Sequence, residues 1–392
     1  MMIIPPEVHS RALRVGIYTD VLAYRRSGIG WHVTHLLDAL SAIDSVNEYF
    51  LIHRRTRTES EASFYCPASP NFHDVAVRVP DVFYSRYFRV YDSWILPRAI
   101  RKLNLDVFHG PNHYLPQRGR TPQIITYHDI AEAVTGEGGE GIRQRSSVGK
   151  HLARADGLIA LSECTISDLK GVSELPNDAQ VIYQGGNIRQ DYSSILDVMI
   201  KLHSRLNITS RYGLFVGSLV ARKNINLLIR AFQILVPTLE PGFQLVLAGA
   251  ADNSEAQKLK DMCQNFGISD RVSFTGYLSN EELAALYRGA SVFVLPSRYE
   301  GFGMILLEAM AADVPIVSTA VGALPEVLGD AGILVPPDDP VAMAAAIGRI
   351  LGSESLRTQL IAKGRIRRAM FSWKTTAEQT LAMYRRMALL KK

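Results

Sequence analysis

The chain has 392 residues, 47% of them hydrophobic and 21% charged, with a formal net charge of +5 at pH 7. That apolar mass fills two cores and excludes a chain disordered over most of its length, and the mild positive excess, with no basic helix or RNA-binding aromatic signature, excludes nucleic acid as the partner. Cys66, Cys164 and Cys263 lie far apart and form no C-x-x-C pair, so no disulfide framework or zinc knuckle is expected and a reducing cytoplasm suits the chain.

The opening MMIIPPEVHSRALRVGIYTD lacks the basic-then-apolar layout of a signal peptide, and LRVGIYTD reads as the first strand. Gly28 to Leu40 starts with glycines and continues as a helix, with Trp31, Val33, Leu36, Leu37 and Leu40 on its apolar side. EYFLIHR, DVAVRV, DVFHG, QIITYHD, GLIALS and AQVIYQG follow as strands with helical stretches between them, which implies parallel βαβ units. The polar stretch from Ile188 to Ser210 reads as a connection with a helix around Ile195 to Leu206. A second series starts near Tyr212: YGLFVGS, FQLVLAGA, VSFTGY, SVFVLPS, PIVSTA and GILVPP are strands, and Ser279 with Glu282 makes a capping box for the helix EELAALYRGA. The most apolar window, Met304 to Leu324, contains Glu308, Asp313 and Pro315, so it reads as a helix and a buried strand and not as a membrane span. A last helix runs from Trp373. The expected fold class is α/β, two Rossmann-like doubly wound parallel-sheet domains over residues 1–190 and 211–370, joined by 191–210 and followed by a terminal helix over 371–392.

Four features carry chemistry. In GSLVARKNINLLIRAF, Arg222 and Lys223 follow a strand end and precede a helix, where two cations can neutralise a diphosphate; a solvated basic turn is the plainer alternative. In RYEGFGMILLEAM, the turn Glu300-Gly301-Phe302-Gly303 lets backbone approach a ligand closely, and unpaired amides from Gly303 through Met304 and Ile305 to Leu306 favour negative charge. Glu308, one turn further, can accept hydrogen bonds from a ribose diol while Glu300 meets a sugar. His128 ends a strand of the first domain and is expected to face the gap between domains; it is either a satisfied structural histidine or a group that binds the sugar and tunes a reacting hydroxyl. In SGIGWH, Gly28 and Gly30 form a loop before the first helix, but Val33 stands where a third fingerprint glycine would be, so a glycine-rich substrate loop and a structural turn both remain open.

Together these residues resemble glycosyltransferase family 4, the retaining transferases of GT-B fold, over most of the chain. The most specific part is Glu300 to Glu308, which matches the family's Glu–seven residues–Glu motif; FVGSLVARKNINLLIRAF matches its donor-phosphate turn, and SGIGW, DVFHGPNHYLP, YHD and FSWKTTAEQ fit as well. The resemblance implies that Arg222 and Lys223 hold the diphosphate with the Met304 and Ile305 amides, that Glu308 binds ribose and Glu300 the donor sugar, that Gly249 and the Tyr277-Leu278 backbone line the base pocket, and that His128 sits beside the anomeric carbon. It implies transfer with retention and without metal or cofactor, the nucleotide-sugar being a co-substrate and its leaving diphosphate taking the acceptor's proton. It also implies a final helix that crosses back to the first domain.

The sequence departs from the family at three points. Ser218 stands where the phosphate turn often carries a second arginine, AEAVTGEGGEGIRQRSS is a glycine-rich and mobile loop by composition, and VIYQGGNI replaces the usual Pro-Asn-Gly-Val. The stretch VFYSRYFRVYDSWILPRAIRK mixes aromatics with Arg86, Arg89, Arg98, Arg101 and Lys102. It reads as a helix packing its aromatics inward or as a surface resting on an anionic membrane, the latter implying a lipid-linked saccharide acceptor and a cytoplasmic enzyme peripheral to the inner face of the plasma membrane. The expectation is a hexosyltransferase using GDP-mannose or a UDP-sugar in cell-surface polysaccharide assembly. The competing readings are a nucleotide-sugar epimerase of the same fold, a non-catalytic sugar-nucleotide-binding subunit and, most distantly, an oxidoreductase.

Overall fold

Short runs rich in Val, Ile, Leu and Phe form two parallel sheets, as expected for strands covered by helices on both faces. The structure is a computed structural model that describes residues 11–23, 28–55, 64–79, 90–117, 119–136, 138–186, 195–208, 211–250 and 252–391. Arg86 and Arg89 of the aromatic basic stretch, residues 24–27 before the first helix and much of the expected connection lie outside them. The chain divides into two compact units, one made of Met1–Gly185 with Ser372–Lys392 and one of Gly186–Phe371.

In the first unit, β1 (Arg14–Tyr18), β2 (Glu48–Arg55), β3 (Phe72–Arg78), β4 (Val107–Gly110), β5 (Gln123–Tyr127), β6 (Gly157–Ala160) and β7 (Asp178–Val181) form a sheet in the order β3-β2-β1-β4-β5-β6-β7. All pairs are parallel. Strand order reverses between β1 and β4, which opens a crevice at their carboxyl ends. The Trp373–Ala388 helix belongs to this unit and packs on the Gly28–Ile43 helix. Thr376 Oγ donates to Tyr183 O at 2.7 Å, and the Arg386 guanidinium meets Asp178 at 2.8 Å. A Cβ on Gly157 would stand 2.6 Å from Met383 Cε, so the absence of a side chain lets this helix approach β6.

The expected mobile loop over 132–147 is a pair of helices, Ala131–Thr135 and Gly138–Leu152. Its glycines serve close approach: a Cβ on Gly136 would lie 2.2 Å from Glu132 O, and one on Gly141 would lie 2.3 Å from Gly136 O. Of the aromatic basic stretch, Tyr91, Leu96 and Ile100 are buried while Trp94 is 65% exposed, so the segment packs inward and also shows one large aromatic.

In the second unit, β8 (Tyr212–Val216), β9 (Gln244–Ala248), β10 (Val272–Gly276), β11 (Val292–Leu295), β12 (Ile316–Thr319) and β13 (Gly332–Val335) lie in the order β10-β9-β8-β11-β12-β13, again all parallel. The reversal here is between β8 and β11. The Ile195–Leu206 helix packs on the Asn280–Gly289 helix within this unit, and the Ser279–Glu282 capping box closes with both reciprocal bonds. Among the described residues no helix is long and apolar enough to cross a membrane.

Candidate active site

The loops after β8 and β11 flank the order reversal of the second sheet, and the charged residues singled out from sequence meet there. Val216 ends β8, and Gly217 turns the chain at φ 145°. Gly249, after β9, has φ 155°, and a Cβ on it would lie 1.9 Å from Gly217 O. Only glycine lets these two loops touch. The chain then makes a short turn over Ala221–Lys223, whose left-handed Asn224 (φ 51°) opens the Ile225–Leu235 helix.

That turn aims Arg222 and Lys223 at Glu300. Lys223 Nζ donates to Glu300 Oε1 at 2.5 Å; Arg222 Nη1 donates to Tyr299 O at 2.8 Å and lies 3.3 Å from Glu300 Oε2. Ser297 Oγ donates to Oε1 at 2.6 Å. Glu300 is 7% exposed, so its charge is held by two cations and a hydroxyl in a place where an unpaired carboxylate would be costly. The loops are further tied by Arg298 N–H to Arg222 O at 2.9 Å, and by Asp338, which accepts from Asn224 Nδ2 at 3.0 Å and from Arg298 Nη2 at 2.9 Å. Gly322 packs against the Glu300 backbone, where a Cβ would lie 2.4 Å from Glu300 O.

Gly303 caps the Met304–Ala311 helix at φ 90°, ψ 49°, a conformation open to glycine. One amide expected to be unpaired is not: Leu306 N–H donates to Gly303 O at 2.9 Å because the first turn tightens. Met304 and Ile305 open the helix, in the first turn where backbone amides lack an intrahelical acceptor. The Leu306 and Phe302 side chains are buried, Phe302 edge-on to Phe371 at 5.7 Å. Glu308 accepts from Tyr287 Oη–H at 3.0 Å. Part of the residue reaches the surface, yet protein closes around its carboxyl, and burial pushes its pKa up to about 7 against the lowering effect of the Tyr287 bond. Tyr277 is 82% exposed beside buried Leu278, just after Gly276, which bridges to Gly249.

In the first unit, His128 directly follows β5. Its Nε2–H donates to Pro111 O at 2.8 Å, and its backbone N–H donates to His113 Nε2 at 2.7 Å. The His32 ring stands edge-on at 4.6 Å. Burial lowers the pKa of His128, and Pro111 O and Asp129 counter it in part. Gly28 and Gly30 correct the expectation of a loop: both lie in the first turn of the Gly28–Ile43 helix.

Sequence patterns missed Ser297, Tyr287, Asn224 and Asp338 in the second unit, and His32 and His113 in the first. Asn224, His32 and His113 lie inside segments already noted (GSLVARKNINLLIRAF, SGIGWH and DVFHGPNHYLP), but their partners come only from tertiary contact, as do those of Ser297, Tyr287 and Asp338. Among the described residues no group of three or more His, Cys, Asp or Glu side chains is placed to hold a metal ion.

Residues 26–189 match the family model Glycosyltransferase Family 4, and residues 201–367 match Glycosyl transferases group 1. The chain belongs to this glycosyltransferase family. O-antigen chain mannosyltransferase B of Escherichia coli is 28% identical over 382 residues, which cover 95% of this chain and 100% of that protein. D-inositol 3-phosphate glycosyltransferase of Salinispora tropica is 30% identical over 288 residues, 68% of this chain and 60% of that protein. Among solved structures, sucrose-phosphate synthase of Thermosynechococcus elongatus aligns with a TM-score of 0.76 at 24% identity, over 96% of this chain and 99% of that one. Anabaena HepE in complex with UDP-glucose aligns at 0.71 and 14% identity, over 95% and 99%. These likenesses give the fold: this glycosyltransferase has the two Rossmann-like domains of the GT-B type.

Proposed function

We propose that this glycosyltransferase moves a hexose, with retention and without a metal ion, from GDP-mannose or a UDP-sugar to a saccharide or lipid-linked acceptor in cell-surface polysaccharide assembly. The observation that carries the reading is the junction of Arg222, Lys223 and Glu300 beside the Gly303-capped helix, at the order reversal of the second sheet. Two cations and a helix N-terminus suit a diphosphate whose charge grows as the sugar leaves. In this reading Lys223 and Arg222 exchange part of their bonding from Glu300 to the diphosphate, which frees Glu300 for the sugar. Glu308 receives ribose, Gly249 and the Tyr277-Leu278 backbone frame the base, and His128 touches the transferred sugar. The mannosyltransferase that this chain resembles end to end supports the choice of sugar and pathway.

Exposed Trp94, with Arg98, Arg101 and Lys102 at the surface beside it, supports a peripheral contact with the anionic inner face of the plasma membrane, where a lipid-linked acceptor would lie. The test is a transfer assay over a panel of nucleotide-sugars and saccharide acceptors, with the product's anomeric configuration read by NMR. Transfer with the donor's configuration kept is expected. Epimerised donor with no glycosidic product would overturn transfer in favour of an epimerase, and binding without turnover of any donor would favour a non-catalytic subunit.

A further inference from the structure

Four histidines converge on the carboxyl ends of β4 and β5. His109 is closed off: its two ring nitrogens lie 2.7 Å from Tyr384 Oη and 2.8 Å from Thr126 Oγ. His32 Nδ1 lies 2.8 Å from Gln184 Oε1, and its ring sits between His128 and Trp373. His128 and His113 differ, because their partners fix which nitrogen holds the proton.

A carbonyl can only accept, so His128 Nε2 carries a hydrogen toward Pro111 O. A backbone N–H can only donate, so His113 Nε2, which receives the His128 amide at 2.7 Å, is bare. Burial favours a neutral ring at both positions, helped at His113 by His128 and His151, and a neutral His128 protonated at Nε2 has an unprotonated Nδ1. That Nδ1 has no hydrogen-bond partner among the described residues and is not among the polar atoms sealed from the surface.

We propose that His113 is a positioning residue that locks the neutral His128 ring with its Nδ1 lone pair open, so that His128 meets a substrate hydroxyl as an acceptor and not as a donor. The proposal rests on the reading that His128 touches the transferred sugar. His113 is built for the task. It sits at φ 61° in the tight Gly110–Tyr114 turn, where a Cβ on Gly110 would lie 1.8 Å from Tyr114 O. Its own N–H donates to Thr126 O at 3.3 Å, and its ring stacks on Tyr127 at 4.9 Å. The same turn supplies Pro111 O. One segment therefore holds the His128 amide and ring together, and displacing either turns the lone pair away from its hydroxyl.

The experiment compares His113→Gln, whose amide oxygen can still accept the His128 N–H, with His113→Met, which cannot. Both replacements carry the same cost of a non-glycine, non-histidine residue at positive φ, so their difference isolates the hydrogen bond. His113→Met is expected to lower kcat on the order of tenfold relative to His113→Gln with nucleotide affinity unchanged. Histidine-selective 15N NMR of the whole wild-type chain, with His128→Gln to assign the signal, should show a bare Nδ1 and a protonated Nε2 at His128. Equal kcat in the two variants, or a proton on His128 Nδ1, would overturn the proposal. A proton on His128 Nδ1 would overturn it even if His113→Met does not fold. Wild-type enzyme that shows this tautomer but transfers no sugar would sink the functional reading and leave the positioning geometry standing.

Discussion

At the reversal between β1 and β4 the first unit gathers uncharged imidazoles; at the matching reversal between β8 and β11 the second gathers full charges. His32, His109, His113 and His128 all have their pKa pushed down by burial; His109 is held by Tyr384 and Thr126, His32 by Gln184, and His113 and His128 by backbone groups. Lys223 and Arg222 pair with Glu300. The same topology thus supports two electrostatic designs. A neutral cluster can orient a sugar hydroxyl without attracting ions, whereas a paired charged cluster can exchange one partner for a diphosphate when it arrives.

The sharpest way to break this contrast is Lys223→Ala. On the proposed reading it removes a cation for the diphosphate, and it removes the nearest partner of buried Glu300, so nucleoside diphosphate affinity should fall on the order of a hundredfold or more, while nucleoside affinity changes little. Calorimetric titration of both ligands checks it, and equal losses would count against the charged design. His128→Ala should lower kcat about a hundredfold with donor affinity nearly unchanged, as fits a neutral group that acts on the sugar and not on the diphosphate. Full turnover in that variant would remove His128 from the chemistry.

The neutral design also predicts acid sensitivity. A histidine whose folded pKa lies below its unfolded value near 6.5 stabilises the fold fully above about 6.5, and loses that contribution as pH falls toward the folded value. For His109, lowered to about 3, the loss at roughly pH 5 is on the order of 2 kcal/mol. Thermal unfolding followed from pH 7.5 to 5 should show Tm falling, with a flatter curve in His109→Gln; a slope unchanged by that substitution would exclude His109 as its source. Glu308 carries the opposite sign. Its raised pKa means that ionisation between about 4.5 and 7 costs stability in the ligand-free enzyme.

The smallest effect expected is that of Tyr287→Phe. Its hydroxyl bond lowers the Glu308 pKa, so its loss moves that pKa above about 7 and leaves more of the carboxyl protonated at neutral pH. Nucleotide affinity should fall a few-fold near pH 7 and recover by about pH 8.5. Titrations across that range would show a midpoint displaced upward; an unmoved midpoint would detach Glu308 from nucleotide binding.

Much of this was legible in the chain. The strand runs from LRVGIYTD to GILVPP, the Ser279–Glu282 box and the Ile195–Leu206 helix all formed as read, because apolar spacing and cap chemistry act over a few residues. Glycine content misled twice. At 132–147 it was read as mobility, but Gly136 and Gly141 relieve contacts within a helix pair; at Gly28 and Gly30 it was read as a loop, but both are helical. Composition does not distinguish a glycine that frees the backbone from one that makes room for a neighbour.

The sequence by itself determined the two series of parallel strands, the charged residues at strand ends and the glycines that turn the chain there, since each follows from local periodicity and φ preference. Only the tertiary structure decided who meets whom. Glu300 is 77 residues from Lys223, Tyr287 is 21 from Glu308 and His113 is 15 from His128. Strand order sets those encounters, and burial around them then fixes the charge on Glu308 and the proton's place on His128, because desolvation and hydrogen-bond partners exist only once distant loops have been packed together.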